Sequence, residues 1–301
     1  MKKISVALFL CMLCSAALAK EIKLIVPLAP GGSTDKVARV IQNHFTNSKY
    51  TFAVEYRLGA GGVVAYDHLA TIKNETVFLV GGVSLVASPL VPDGQDIRYN
   101  TEQDFILVDY IGAETMIMVV RNDGAVSNFK DFERISKNQL MPVGMSGGGT
   151  TNGLAATIIS RGNKNIDQIP YKGTSPILTD LLGGSIKWTV DSDLILSGFI
   201  ESNKIRPIAM ISTNRLKKYP TVPTLLELGI DDMGLRRWHV LIANRTADPE
   251  IVSFVRQKLS EASFRAEFRN FGFETPSVDL ATFFQGETLK IKRIIGNIKS
   301  H

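Results

Sequence analysis

Short apolar runs alternate with helical patterns along most of the chain. The run at 22–26 predicts a strand, and the apolar spacing over 37–45 predicts a helix directly after it. The alternation continues to the C-terminus, where 280–298 again has the spacing of a helix. Strands that alternate with helices in this way are typical of an α/β fold built on a mostly parallel sheet.

The first predicted strand and helix are joined by Gly31, Gly32, Ser33 and Thr34. The glycines let the backbone turn tightly, and either hydroxyl residue can cap the helix. The helix N-terminus adds free N–H groups and the positive end of a dipole, which together form a small anion site. The alternative is a tight turn that binds nothing.

Turns of the same composition recur after other predicted strands. Ligands of open α/β sheets bind beyond the carboxyl ends of the strands. Turns rich in Gly, Ser and Thr bind small anions there through N–H and hydroxyl groups. The five turns are 31–34, 59–62, 81–84, 146–151 and 172–174.

The N-terminus has the features of a secretory signal peptide over residues 1–19. Two lysines precede an apolar run at 6–13, and Ala17-Leu18-Ala19 fits a cleavage site. Cys11 and Cys14 are the two cysteines of the chain, so the mature protein has no thiol, disulfide or Cys-based metal site. The sequence therefore predicts export to the periplasm.

Composition argues against nucleic acid as a partner. Without the two signal lysines, 32 basic residues face 29 acidic ones, and no basic run occurs.

No other segment is long and apolar enough to cross a bilayer. Roughly 280 mature residues predict one or two lobes.

Nucleotide and metal motifs are missing from the sequence. The run 144–151 lacks the lysine of a P-loop, and no strand is followed by G-x-G-x-x-G. The histidines, His44, His68, His239 and His301, have no ligand-type spacing around them. The sequence predicts no cofactor and no metal.

An alternative function is a secreted α/β-hydrolase. Residues 144–148 match G-x-S-x-G between a predicted strand and helix, with Ser146 as the nucleophile. Asp191 and His239 follow in the chain order of that fold. The same Ser- and Gly-rich run equally suits a loop that wraps a carboxylate, and no oxyanion-hole segment is evident.

One compact basic and aromatic cluster precedes a predicted strand, at Arg236, Arg237, Trp238 and His239. It is either a solvated turn with Trp238 in the core or a source of a bidentate arginine contact to a carboxylate. A second buried carboxylate would need further donors or a cation. We expect Arg236, ahead of Arg237, to reach the ligand.

Several blocks of sequence combine into a recognisable pattern. They are 26–35, Glu55 with Arg57 and 59–62, 169–173, 181–184 and 223–224. Together these blocks, which cover most of the mature chain in order, resemble the solute-binding proteins of tripartite tricarboxylate transporters, the Bug family. Leu28 departs from the family, which usually has an aromatic residue at that place.

The resemblance implies a two-lobed periplasmic binding protein of type II, an α/β fold whose ligand closes between the lobes. It also implies a carboxylate held by the first loop and by 146–151, with Asp191 facing the cleft, and delivery to permease subunits in the membrane. We expect a monomer with no catalytic step. The lobes are predicted at 20–119 with 243–301, and at 120–242.

The predicted ligand-binding residues come from the Gly-rich turns and from the basic cluster. They are Ala29, Gly31, Gly32, Ser33, Thr34, Gly82, Ser84, Ser146, Gly148, Thr150, Thr151, Tyr171, Asp191 and Arg236.

Overall fold

The computed structural model describes residues 19–91 and 96–299. Residues 1–18 of the predicted signal peptide lie outside the described residues. Within the described ranges, no helix is long and apolar enough to cross a membrane.

The described chain contains ten strands, numbered β1 to β10. They are β1 Lys20–Val26, β2 Tyr50–Tyr56, β3 Val77–Gly82, β4 Phe105–Glu114, β5 Met116–Arg121, β6 Val143–Met145, β7 Gln168–Pro170, β8 Trp188–Ser192, β9 Ile205–Ile211 and β10 Arg237–Asn244.

Ten α-helices, numbered α1 to α10, lie between and after the strands that the structure describes. They are α1 Ser33–His44, α2 Val63–Thr71, α3 Ser84–Ala87, α4 Phe129–Ser136, α5 Thr151–Ser160, α6 Thr174–Gly183, α7 Asp193–Glu201, α8 Pro249–Leu259, α9 Ala262–Asn270 and α10 Leu280–Lys299. Short 3₁₀ turns occur at Ala60–Gly62, Ser88–Leu90 and Leu226–Leu228.

The strands form two five-stranded sheets, with the orders β2-β1-β3-β10-β4 and β7-β6-β8-β5-β9. In the first sheet, β1 runs parallel to β2 and β3, whereas β10 runs antiparallel to β3 and β4. In the second, β6 runs parallel to its neighbours and β5 antiparallel to its own. Both sheets are therefore mixed. In each sheet four strands point the same way and one, β10 or β5, runs against them, so the mostly parallel arrangement that the sequence predicts holds apart from these two strands.

The chain passes from one sheet to the other twice. It crosses at Thr115, between β4 of the first sheet and β5 of the second, and it returns before Arg237 as β10. We refer to residues 19–114 and 237–299 as the first lobe and to 115–236 as the second. The boundaries predicted at 119/120 and 242/243 cut through β5 and β10. The apolar run on both sides of Thr115 hides the crossover, because consecutive strands of different sheets are equally buried.

Local signals of the sequence account for several element ends. Asp248 caps α8 by accepting a hydrogen bond from the backbone N–H of Glu250 at 2.8 Å. Such caps contribute about 1 kcal/mol. Pro207, which predicts an edge strand, lies in β9 at the edge of the second sheet.

Helix α10 packs against both lobes. Its buried residues, Ile291, Ile294 and Ile295, belong to a hydrophobic core that also contains Leu154 of α5 in the second lobe. Trp238 at the start of β10 is buried in the same core, and its Nε1 donates to Glu287 Oε2 of α10 at 2.9 Å. Burial of a large apolar side chain contributes about 1.5–3 kcal/mol, so this helix stabilises the base of the cleft.

Candidate functional site

An enclosed cavity lies between the lobes, at the carboxyl ends of β1, β3 and β6 and at the start of β10. Its volume is ≈ 40 Å³. Since each water needs about 10–15 Å³ of such volume, the cavity has room for about three heavy atoms, the size of a carboxylate group. The polar side chains that line it are Ser33, Thr34, Tyr66, Ser84, Ser146, Thr150, Thr151, Asn152, Thr174, Arg237 and His239.

Two helices from different lobes begin at this cavity. Helix α1 begins at Ser33, after Gly32, which provides no side-chain cap. Helix α5 begins at Thr151, and Thr150 caps it by accepting a hydrogen bond from the backbone N–H of Gly153 at 3.2 Å. The first turn of a helix has N–H groups with no partner inside the helix, and its dipole favours negative charge. An anion in the cavity therefore meets the positive ends of both helices.

The loop before α5 is held in shape by Asn152. Its Oδ1 accepts from the backbone N–H of Ser146 at 3.1 Å and from Thr150 Oγ1 at 2.6 Å. Its Nδ2 lies 3.3 Å from Ser146 Oγ. All three side chains are buried. The loop is therefore organised before a ligand arrives, which lowers the entropy that binding costs.

Arg237 is the cation of the cleft. Its Nη1 donates to Asp191 Oδ1 at 2.6 Å and to Ser33 Oγ at 3.1 Å. Asp191 is fully buried and also accepts from Thr174 Oγ1 at 2.8 Å, so the ion pair joins β10 of the first lobe to β8 of the second. Nη2 of Arg237 has no hydrogen-bond partner among the described residues, so this nitrogen remains able to donate to an anion.

Arg236 does not reach the cavity, so the prediction that favoured it over Arg237 is wrong. Its Nη2 pairs with Glu274 Oε1 at 2.7 Å, in contact with a carboxylate that is 64% exposed. Neighbouring residues of an extended chain point to opposite faces. Because Arg237 faces the cleft, Arg236 faces away from it.

A second buried group of charged and polar side chains lies behind Ser33. His239 Nε2 lies 2.9 Å from Glu114 Oε1 and 3.4 Å from Ser33 Oγ, and Ser192 Oγ donates to Glu114 Oε2. Burial alone would raise the pKa of Glu114. The hydrogen bond and charge of His239, with the charge of Arg237, outweigh burial and hold that pKa below its usual value of 4.5. Glu114 is therefore a carboxylate that this cluster keeps ionised.

The three residues of the hydrolase alternative have separate partners. Ser146 contacts Asn152, Asp191 pairs with Arg237, and His239 contacts Glu114 and Ser33. A catalytic triad uses both nitrogens of its histidine. Here both contacts of His239 are to Nε2, while Nδ1 has no hydrogen-bond partner in the described part of the chain. The arrangement is not that of a serine hydrolase.

Most of the predicted ligand-binding residues line the cavity, and five do not. Tyr171 lies in an outer groove, where its hydroxyl donates to Asp180 Oδ2 at 2.6 Å. Asp191 lies behind Arg237, and Arg236 faces away. Gly31 precedes the lining residue Gly32, and Gly148 lies in the loop between the lining residues Ser146 and Thr150. Those that line the cavity are Ala29, Gly32, Ser33, Thr34, Gly82, Ser84, Ser146, Thr150 and Thr151.

Sequence reasoning missed several lining residues. His239, which the sequence placed in the basic cluster and in the hydrolase alternative, lines the cavity, and so do Tyr66, Asn152 and Thr174. Thr174 is the last residue of the predicted turn 172–174, so its position was an available signal. Tyr66 reaches the cavity from inside helix α2, and its hydroxyl lies 3.0 Å from Ser84 Oγ. No local pattern marks a residue of that kind.

The two lobes touch at the rim of the cavity. The backbone N–H of Ala29 donates to the carbonyl of Lys172 at 2.8 Å, and Ser175 Oγ donates to the carbonyl of Pro30 at 2.6 Å. A Cβ on Gly149 would lie 2.5 Å from Ser88 Oγ of the opposite lobe. Glycine is therefore needed at this point for the cleft to close.

No group of three or more His, Cys, Asp or Glu side chains that could hold a metal ion occurs in residues 19–91 and 96–299.

Two lobes joined by strand crossovers, with a closed polar cleft between them, define the class of periplasmic solute-binding proteins. The family model described as "Tripartite tricarboxylate transporter family receptor" matches residues 37–299. The chain belongs to this family. The expected type of fold and the expected family are both confirmed.

Individual relatives agree with this assignment. Protein BugT of Bordetella pertussis is 28% identical over 259 residues, which cover 81% of this chain and 76% of that protein. Among solved structures, the periplasmic binding protein BugD superposes with a TM-score of 0.83 at 23% identity, covering 93% of this chain and 97% of its own. MatC of Rhodopseudomonas palustris, solved with bound malate, has a TM-score of 0.80 at 22% identity, covering 92% and 99%.

Proposed function

We propose that this protein captures a small carboxylate in the cleft and delivers it to the membrane subunits of a tripartite tricarboxylate-type transporter. The observation that carries the proposal is the convergence of two helix N-termini and Arg237 on one enclosed cavity. Backbone N–H groups, hydroxyls and a guanidinium are the donors that carboxylates need.

Solutes of related proteins support the choice of ligand. MatC was solved with malate and another Rhodopseudomonas palustris protein with adipate, the latter at a TM-score of 0.83 and 24% identity. Both solutes are dicarboxylates. We infer that the first carboxylate occupies the enclosed cavity of this chain, between Ser33 and Thr150.

The electrostatics of the cavity favour one anionic group at a time. Arg237 is already paired with Asp191, and Glu114 adds a second buried negative charge. A bound carboxylate must therefore be stabilised mainly by the two helix ends and by the unused Nη2 of Arg237.

We further propose that the protein carries out no chemical step. Receptors of this family are a solute-binding class, and the separate partners of Ser146, Asp191 and His239 argue against ester hydrolysis. Export by residues 1–19, a periplasmic location and a monomeric state complete the proposal.

A thermal-shift panel of di- and tricarboxylates, aromatic acids and acidic amino acids tests the proposal, alongside mass spectrometry of the natively purified protein. A ligand at 100 times its Kd adds about 2.7 kcal/mol, or roughly 5–10 °C in Tm. The proposal predicts such a shift for at least one carboxylate. No shift with any of them contradicts it, and ester hydrolysis that Ser146→Ala abolishes supports the hydrolase instead.

A further inference from the structure

A second cavity lies outside the first and shares part of its wall. Its volume is ≈ 460 Å³, and it is formed by loops of both lobes at the rim of the cleft. We call it the vestibule. Leu28 and Ser146 line both the vestibule and the enclosed cavity. The two spaces are therefore neighbours on either side of these two residues.

The vestibule differs from the enclosed cavity in chemistry. Leu28, Ala60, Pro170, Pro176 and the ring of Tyr171 give it an apolar wall. The hydroxyl of Tyr171 is turned to Asp180, so the ring and not the hydroxyl is available to a ligand. Apolar walls of this size stabilise the hydrocarbon part of a ligand rather than its charge.

The two spaces differ in size, so each can hold a different part of one solute. The enclosed cavity holds about three heavy atoms, the size of a carboxylate group. The remainder of any larger acid must therefore lie outside this cavity, and the neighbouring space shares Leu28 and Ser146 with it. The vestibule is the space on that side, and its volume lies within the range of about 300–1,000 Å³ that is usual for small-molecule sites.

We propose that the vestibule is a second subsite, which takes the apolar alkyl or aryl chain of a carboxylic acid whose carboxylate lies in the enclosed cavity. The proposal rests on the proposed function and narrows its substrate class. Lys172 is an exposed residue at the rim. Because it is exposed, its charge contributes little to affinity.

Calorimetric titration with acetate, butyrate, hexanoate and phenylacetate tests the subsite, with succinate as the short dicarboxylate. Each methylene that becomes buried improves Kd by about fourfold. We expect hexanoate to bind the parent protein at least about tenfold more tightly than acetate. Equal affinities for acetate and hexanoate overturn the subsite, and so does binding of succinate without binding of any monocarboxylate.

A variant that fills the vestibule separates the subsite from general effects of chain length. Pro176 is in the first turn of α6 and lines the vestibule but not the enclosed cavity. We expect Pro176→Trp to clash with the longer chain and so to reduce the ratio of acetate Kd to hexanoate Kd to within about threefold of unity. The matched control is Leu140→Trp, at a residue that is 57% exposed, and it should keep the parent ratio.

The outcomes distinguish the two levels of the proposal. A parent ratio that persists in Pro176→Trp overturns the subsite but leaves carboxylate binding intact. Absence of binding by every acid, including succinate, contradicts the proposed function itself and the subsite with it.

Discussion

Arg237 Nη1 and Asp191 Oδ1 lie 2.6 Å apart across the cleft, and this ion pair joins the start of β10 in the first lobe to β8 in the second. Asp191 is fully buried and Arg237 is 12% exposed. The pair therefore contributes both to closure of the lobes and to the charge that a solute meets. Its neighbour Arg236, paired with Glu274, provides a natural control.

Replacing the cleft arginine should weaken solute binding. Arg237→Gln removes the cation next to the carboxylate, and we expect a cost of about 2–5 kcal/mol, which is at least about 30-fold in Kd. Arg236→Gln changes an outward-facing ion pair and should stay within about threefold of the parent. Titration calorimetry with the carboxylate that gives the largest thermal shift measures both. Equal losses in the two variants would contradict the assigned roles.

Arg237→Gln should also destabilise the fold, because it leaves Asp191 buried without its partner. Breaking a buried ion pair costs about 3–5 kcal/mol. Adding Asp191→Asn removes the unpaired charge and should restore part of the free energy of unfolding, measured by urea denaturation, without restoring binding. A double variant as unstable as Arg237→Gln alone would argue that the unpaired charge of Asp191 is not the cause of the destabilisation.

A methyl group at Gly149 should keep the cleft open. Its Cβ would lie 2.7 Å from Ser88 Cα in the closed form, whereas Gly198 in α7 has no neighbouring atom within 4 Å of such a position. If closure is needed for binding, Kd rises in inverse proportion to the closed population. We expect Gly149→Ala to weaken ligand binding by about tenfold or more in Kd. Gly198→Ala should leave Kd close to that of the parent.

Small-angle scattering reports the closure directly. The radius of gyration of the parent and of Gly198→Ala should fall when ligand is added, while that of Gly149→Ala should not. A Gly149→Ala variant that contracts like the parent would show that the rim contact with Ser88 can be relieved without opening the lobes.

Acid should destabilise the protein partly through Glu114. Its pKa is lowered in the folded state because the contacts to His239, with the charge of Arg237, outweigh burial. The stabilisation is therefore present above about pH 4.5 and is lost as pH falls through the folded-state pKa. We expect Glu114→Gln to lose less free energy of unfolding than the parent between about pH 5 and pH 3.

The pKa of Asp109 is shifted in the opposite direction to that of Glu114, so its effect on stability in acid should also be opposite. Burial raises its pKa more than its ion pair with Arg265 lowers it. Its protonated form stabilises the fold at low pH, and that contribution is lost as pH rises through the folded-state pKa. Asp109→Asn should therefore lose more stability than the parent over the same acid range. If the parent and both variants lose the same free energy of unfolding between about pH 5 and pH 3, these assignments are refuted.

The sequence predicted the parts of the site that depend on local structure. Ser33 and Thr34 follow a strand, two glycines and the start of a helical pattern, and that order alone places hydroxyls and N–H groups at a helix N-terminus. Thr150 and Thr151 follow the same rule. Such residues can be predicted because the chemistry and the geometry lie within one short segment.

The parts that depend on the relation between the sheets could not be predicted. Arg236 and Arg237 are adjacent and alike, and only the register of β10 decides which one faces the cleft. Glu114 is at the end of a buried strand, and its contact with His239 joins residues 125 positions apart. A single sequence contains no local signal for contacts of that range.

The measurement that most directly tests carboxylate recognition is calorimetric titration of the chain without residues 1–19. The ligand is the carboxylic acid that raises Tm the most, and the control is the methyl ester of the same acid. Charged hydrogen bonds contribute about 1.5–3 kcal/mol each, so we predict one acid bound per chain and an ester that binds at least about tenfold more weakly. An ester that binds as tightly as the acid would contradict the claim that helix N-termini and Arg237 recognise a carboxylate in this cleft.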